Sequence, residues 1–211
     1  MDRDLEQRIS EFRERMNIPA HPMEPDESTD DPIRTPDQIE AERWQFRLSM
    51  CRVPKVYEAV PQTLYVPDAL KDWHKRNWSL SLLGPTGCGK TWLAVKLLTD
   101  ITHELFRGRF ADSTLAIEQI KDEFTSDYRG KTMRELSTIP VLLLDDLGAE
   151  RGTEYQVEQI GLILRARYNA QLLTIITSNA AKIDDVVESR IASRLASGVF
   201  PVRGKDRRLT K

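Results

Sequence analysis

The residues Gly84-Pro85-Thr86-Gly87-Cys88-Gly89-Lys90-Thr91 match the pattern G-x-x-x-x-G-K-[ST] at every fixed position. This spacing suits one task, holding a polyphosphate. Glycines let the backbone wrap an anion with its N–H groups turned inward, as only residues tolerant of positive φ can. If the loop opens a helix, the positive helix end faces the same charge. Lys90 then reaches the β- and γ-phosphates, and Thr91 offers its hydroxyl to Mg²⁺.

A second set of acids completes such a site. Leu142-Leu143-Leu144-Asp145-Asp146 reads as a buried strand ending in two carboxylates. On a strand beside the loop's own strand, Asp145 is the candidate metal ligand, so ATP·Mg²⁺ is expected on Gly84–Thr91 and Asp145. Asp146 is the candidate for orienting or deprotonating an attacking water, or it caps the turn toward Gly148. Asp is one methylene shorter than Glu, so hydrolysis through it is expected to be slow. Thr177-Ser178-Asn179 ends the next apolar run, which places Asn179 at the same sheet edge, to polarise water or simply to form a turn. Arg190 and Arg194 lie four apart and share one face of a helix. They are either ordinary surface charge or a pair pointing across a subunit boundary as an arginine finger.

These residues need elements to position them. The spacing predicts strands at Trp78–Leu83, Arg109–Ile117, Val141–Asp145, Leu172–Thr177 and Gly198–Val202. Helices are predicted at Lys90–Leu105, Glu118–Tyr128, Thr153–Asn169 and Glu188–Ala196. In the Thr153 helix, Val157, Ile160, Leu164 and Tyr168 are expected inward. Strands alternating with helices mean a parallel sheet in a three-layer α/β domain over residues 76–211. Before it, residues 37–75 form a lead-in whose helix starts at Thr35-Pro36 and carries Ile39, Phe46 and Met50 on one side. Residues 1–36 begin with a helix whose Leu5, Ile9, Phe12 and Met16 form one stripe. That stripe is free either to grip a partner or to fold back on its own domain. Pro19, Pro22, Pro25, Pro32 and Pro36 follow, in a linker too polar to bury much.

Composition excludes other classes. The 211 residues suffice for one α/β domain with a short extension. Residues 1–50 hold 13 acidic and 7 basic side chains, and five of the last eleven residues are basic. The asymmetry fits either a C-terminal domain that meets phosphate or ordinary solvated surface charge. Two cysteines allow neither a disulfide framework nor a zinc cluster. No apolar run reaches about 18 residues and the acidic start is no signal peptide, so a cytoplasmic protein without a membrane partner is expected.

Taken in order, Gly84–Thr91, Val-Leu-Leu-Leu-Asp-Asp-Leu-Gly-Ala-Glu at 141–150, Arg167-Tyr168-Asn169, Thr177-Ser178-Asn179 and Ser189-Arg-Ile-Ala-Ser-Arg-Leu195 resemble a known family. They look like the AAA+ ATPases of the DnaC/DnaI helicase-loader and IstB transposition-helper group, over roughly two-thirds of the chain. The resemblance implies a P-loop NTPase fold with little or no lid. It makes Asn179 the sensor-1 residue and Arg194, with Arg190 close by, the finger on a neighbour's ATP. Gly204-Lys-Asp-Arg-Arg208 resembles the family's Gly-x-Asp-Tyr-Arg ending, with Arg208 as the sensor-2 arginine and Arg207 in place of Tyr. The short N-terminal part, without a zinc-binding cysteine set, resembles phage or mobile-element versions.

The implied function is loading a hexameric replicative helicase onto single-stranded DNA, by subunits assembled head-to-tail into a ring or spiral with ATP between them. Lys121, Arg129, Lys131 and Arg134 would track the DNA phosphates, if they are not simply a solvated face. The alternatives are an IstB-like transposition helper and a nucleotide-switched adaptor with negligible turnover.

Overall fold

The computed structural model describes residues 35–102, 107–125, 127–148 and 153–204. The stripe at Leu5–Met16, the linker, and the 205–211 ending with Arg207 and Arg208 lie outside the described residues.

Five parallel strands carry the fold: β1 (Ser79–Leu83), β2 (Gly108–Asp112), β3 (Val141–Asp145), β4 (Leu173–Ser178) and β5 (Val199–Pro201). Their order is β2-β3-β4-β1-β5. Helix α1 (Pro36–Met50) and helix α2 (Lys90–Ile101) contribute to the core on one face of the sheet. Helices α3 (Ser113–Glu123), α4 (Lys131–Thr138), α5 (Glu154–Asn169) and α6 (Ser189–Leu195) contribute to the core on the other. Each face is apolar because the strands alternate. On β3, Val141 and Leu143 join the α1/α2 core, whereas Leu142 and Leu144 join the opposite one. All five β3 residues are buried, as befits a central parallel strand.

Three departures from the sequence reading have local causes. The strand expected over Arg109–Ile117 stops at Asp112, whose carboxylate accepts the Leu115 N–H at 3.0 Å and starts α3 at Ser113. An Asx cap outweighed the apolar run that followed it. Helix α4 was not expected at all. It follows Gly130, which has φ 71°, and Thr132 is fastened to Glu123 at the end of α3 by backbone and hydroxyl bonds. On α1, the expected side with Ile39, Phe46 and Met50 faces solvent, and Trp44 and Leu48 are buried instead. Trp44 donates its indole N–H to Val60 O at 3.2 Å, and Arg47 Cζ and Lys96 Nζ lie 5.7 Å and 5.4 Å from its ring. Residues 37–75 share one core with the strands through Trp44, Leu48, Val60, Leu70 and Trp73.

Helix α5 starts with a capping box, Thr153 with Gln156. Ile160 and Leu164 point inward as expected, while Val157 and Tyr168 are half-buried. The next inward residue is Arg167, fully buried. Its guanidinium donates to Leu136 O, Ile139 O, Leu173 O and Thr174 Oγ1, all within 2.9 Å. The first two are carbonyls at the end of α4, where unpaired acceptors and the negative helix end favour a cation. Burial draws its pKa down to about 9, which leaves it charged at neutral pH.

Candidate nucleotide site

The loop after β1 is closely confined. Gly84 N–H donates to Ser178 O at 3.2 Å, and Val202 N–H donates to Leu83 O at 2.7 Å. A Cβ on Gly84 would lie 2.2 Å from Val202 O, so only glycine lets β5 pass this close. Gly87 and Gly89 have φ of 76° and 97°, in the left-handed region. Gly89 caps α2 without a side-chain bond, which leaves the first N–H groups of that helix directed into the loop. Pro85 and Thr86 are exposed and Cys88 is buried, with Gly204 against it at 3.6 Å from the position of a Cβ.

Lys90 is 7% exposed. Its ammonium donates to Gly84 O (2.9 Å), Pro85 O (2.8 Å) and Asn179 Oδ1 (2.8 Å), which uses all three of its protons. A triphosphate would exchange these neutral acceptors for charged ones, a gain expected of charge-assisted bonds.

Asp145 ends β3, but β4 separates that strand from β1, so the expected adjacency is corrected. The carboxylate meets the loop another way. Helix α2 packs across β3 and β4 and brings Thr91 over Asp145, with Oγ1 donating to Oδ1 at 2.9 Å. Thr177 Oγ1 donates to the same oxygen at 2.6 Å. Burial raises the Asp145 carboxyl above the usual carboxylate range. The Thr177 and Thr91 hydroxyls oppose that, and the nearby charges of Asp146 and Asp112 add to it.

A hydroxyl and a carboxylate are hard oxygen donors suited to Mg²⁺, which keeps waters and takes phosphate oxygens as its other ligands. Among the described residues no cluster of three or more His, Cys, Asp or Glu side chains could hold a metal by itself. Thr91 and Asp145 therefore fit a cation that arrives with nucleotide.

Asn179 connects the two halves. Its Nδ2 donates to Asp146 Oδ1 at 2.8 Å, and its Oδ1 accepts from Lys90 and, at 3.4 Å, from Thr86 Oγ1. Loop lysine, second acid and strand-end asparagine thus form one network at the sheet edge where they were expected. Thr177, named above only as part of the Thr177-Ser178-Asn179 run, and Ser113, which was not foreseen, also reach this network. Their signal was position, Thr177 two residues before Asn179 and Ser113 directly after the cap residue Asp112.

Arg194 is elsewhere. Its backbone O accepts the Trp78 indole N–H at 3.3 Å, and its guanidinium lies 4.3 Å over the Tyr168 ring, which Trp78 meets edge-on at 5.3 Å. Trp78 precedes β1, so this cluster stands at the opposite end of that strand from Gly84. Arg190 lies one turn earlier in α6 and is exposed.

Several known proteins are similar to this chain. The family model for the IstB-like ATP binding protein matches residues 60–185. The replicative helicase loader DnaI of Bacillus subtilis is 28% identical over 167 residues, covering 68% of this chain and 52% of its own. A putative ATP-binding protein of an insertion sequence from Pseudomonas fluorescens is 28% identical over 122 residues, 58% of this chain and 48% of its own. The chain thus spans about half the length of these curated relatives. Among solved structures, the DnaC helicase loader superposes with TM-score 0.62 at 27% identity, covering 72% of this chain and 100% of that one. AMPPCP-bound DnaA from Aquifex aeolicus, at 20% identity and TM-score 0.53, shares the fold.

Proposed function

Because the chain belongs to the IstB-like ATP-binding family, we propose that it is an ATP-driven assembly factor that loads a hexameric replicative helicase onto single-stranded DNA. Lys90 would hold the β- and γ-phosphates, and Thr91 and Asp145 the Mg²⁺, which when bound offsets phosphate charge. Asp146 would orient the attacking water and Asn179 polarise it. Arg208 would contact the nucleotide from the end of the chain.

The observation that carries the reading is the position of Arg194, separated from Lys90 and Asp145 by the length of β1. An arginine so placed lies away from the chain's own nucleotide loop and would serve a neighbour's ATP. Supply in trans needs a head-to-tail interface, which closes into a ring or continues as a spiral. Hydrolysis would then be slow in the monomer and stimulated by assembly.

Two segments would meet the partners. Lys121, Arg129, Lys131 and Arg134 flank Phe124 and Tyr128, which are 50% and 66% exposed, and Lys131 Nζ lies 5.3 Å from the Tyr128 ring. Aromatic faces among cations suit stacked bases and a phosphate backbone. Residues 1–35, with the Leu5/Ile9/Phe12/Met16 stripe, would grip the helicase.

The test is size-exclusion with light scattering on this protein mixed with its host's hexameric helicase, with and without ATP and single-stranded DNA. A discrete ATP-dependent complex is expected. Its absence under every condition would shift the reading to a transposition helper, which the insertion-sequence relative favours, and duplex DNA would be the next partner.

A further inference from the structure

Asp146 has φ 55°, a left-handed conformation that costs free energy in a non-glycine residue, though least in Asp and Asn. Such a conformation persists only where its surroundings fix it. Three groups from two segments, the end of β4 and the start of α3, do so. The Asp146 N–H donates to Thr177 Oγ1 at 2.9 Å. Its carbonyl accepts from Ser113 Oγ at 3.1 Å, and its side chain accepts from Asn179.

Thr177 is placed to hold both acids. The β3–β4 pairing ends at Leu144 and Ile176. One residue beyond, the Thr177 carbonyl accepts the Leu147 N–H at 2.8 Å while its hydroxyl reaches the two acids. Its single proton is committed to Asp145 Oδ1, so only its lone pairs are left for the Asp146 N–H. The residue is 1% exposed, which fixes that arrangement. Ser113 acts on Asp146 alone.

We propose that Thr177 and Ser113 are positioning residues of the nucleotide site: Thr177 sets the metal-facing acid Asp145 and the water-facing acid Asp146 together, and Ser113 sets Asp146. This rests on the reading of those acids given above. Thr177→Val keeps the volume and removes both bonds, Thr177→Ser keeps the hydroxyl, and Ser113→Ala frees one side of Asp146.

The experiment titrates Mg²⁺ against binding of a fluorescent ATP analogue to the full chain, with turnover measured beside it in the helicase complex. Thr177→Val should raise the Mg²⁺ concentration for half-maximal binding about tenfold, the usual effect of losing a hydrogen bond to a metal-facing carboxylate, and leave Mg²⁺-free binding unchanged. Thr177→Ser should stay within about twofold of wild type. Ser113→Ala should keep the wild-type Mg²⁺ requirement and lower kcat about tenfold at constant KM.

A Thr177→Val protein with the wild-type Mg²⁺ requirement overturns the inference, and so does a Ser variant as impaired as Val. If the Val variant does not fold, Ser113→Ala decides, and unchanged kcat overturns the inference. Wild-type binding that ignores Mg²⁺ would instead sink the underlying reading, and the inference with it.

Discussion

Lys90 and Asp145 are buried charges whose cost the folded chain carries for a ligand. Lys90→Ala should abolish nucleotide binding, measured by fluorescence titration, without unfolding the domain. Asp145 leads to a less obvious outcome. Its folded-state pKa is raised, so the contribution it makes to stability is present at low pH and lost as pH rises through the folded value. At neutral pH the charged form is a liability to the nucleotide-free protein. Asp145→Asn keeps an acceptor for Thr91 and Thr177 and removes that charge. It should stabilise the free protein on the order of 1 kcal/mol, or roughly 2–4 °C in Tm, while weakening Mg²⁺-dependent binding. A lowered Tm would contradict the assigned cause of the shift. Arg167 is the opposite case, a charge used for construction. Arg167→Met should cost on the order of 3 kcal/mol in chemical denaturation, because it orphans the carbonyls of Leu136 and Ile139 at the end of α4, and Lys should not replace it.

At the scale of elements, what the sequence made legible depended on how many signals competed at each position. Strand β3 was read to the residue because Val141–Leu144 are apolar on both faces and Asp145 ends the run. The phosphate loop was read from its glycines, which the close approach of Val202 to Gly84 now explains. Helix α1 has apolar residues on two faces, and periodicity alone could not show that Trp44 and Leu48 win. Trp44→Ala should therefore destabilise the domain by about 3–5 kcal/mol in chemical denaturation, whereas Phe46→Ala on the exposed side should change little. Arg167 continues the Ile160–Leu164 stripe, but a charge at an inward position reads as surface until α4, which was not foreseen, supplies its acceptors. Arg194 was legible as a face with Arg190, yet its ring partner on α5 was not. Tyr168→Phe should keep assembly-dependent turnover and Tyr168→Ala should reduce it, if the ring sets the direction of the guanidinium.

For the whole molecule, the proposed head-to-tail assembly rests on the separation of Arg194 from Lys90. Family membership explains the shared fold of residues 60–185 and the presence of a nucleotide loop. The two functions named among the curated relatives, helicase loading and insertion-sequence ATP binding, both belong to proteins of which this chain matches only about half the length. Among the described residues no helix is long and apolar enough to cross a membrane. Deleting residues 1–35 should leave the Pro36–Lys211 unit folded by circular dichroism and remove helicase binding. Helicase binding that survives the deletion would assign the grip to another surface. The central claim, a nucleotide site completed by a neighbour, has a direct test in mixed assemblies. Lys90→Ala and Arg194→Ala should each be inactive alone, with Arg194→Ala still binding ATP. Mixed with helicase and single-stranded DNA, the two variants should recover part of the wild-type turnover, because an intact loop then faces an intact arginine. Full activity of Arg194→Ala alone, or no recovery on mixing while both variants enter the complex, would contradict a site shared between subunits.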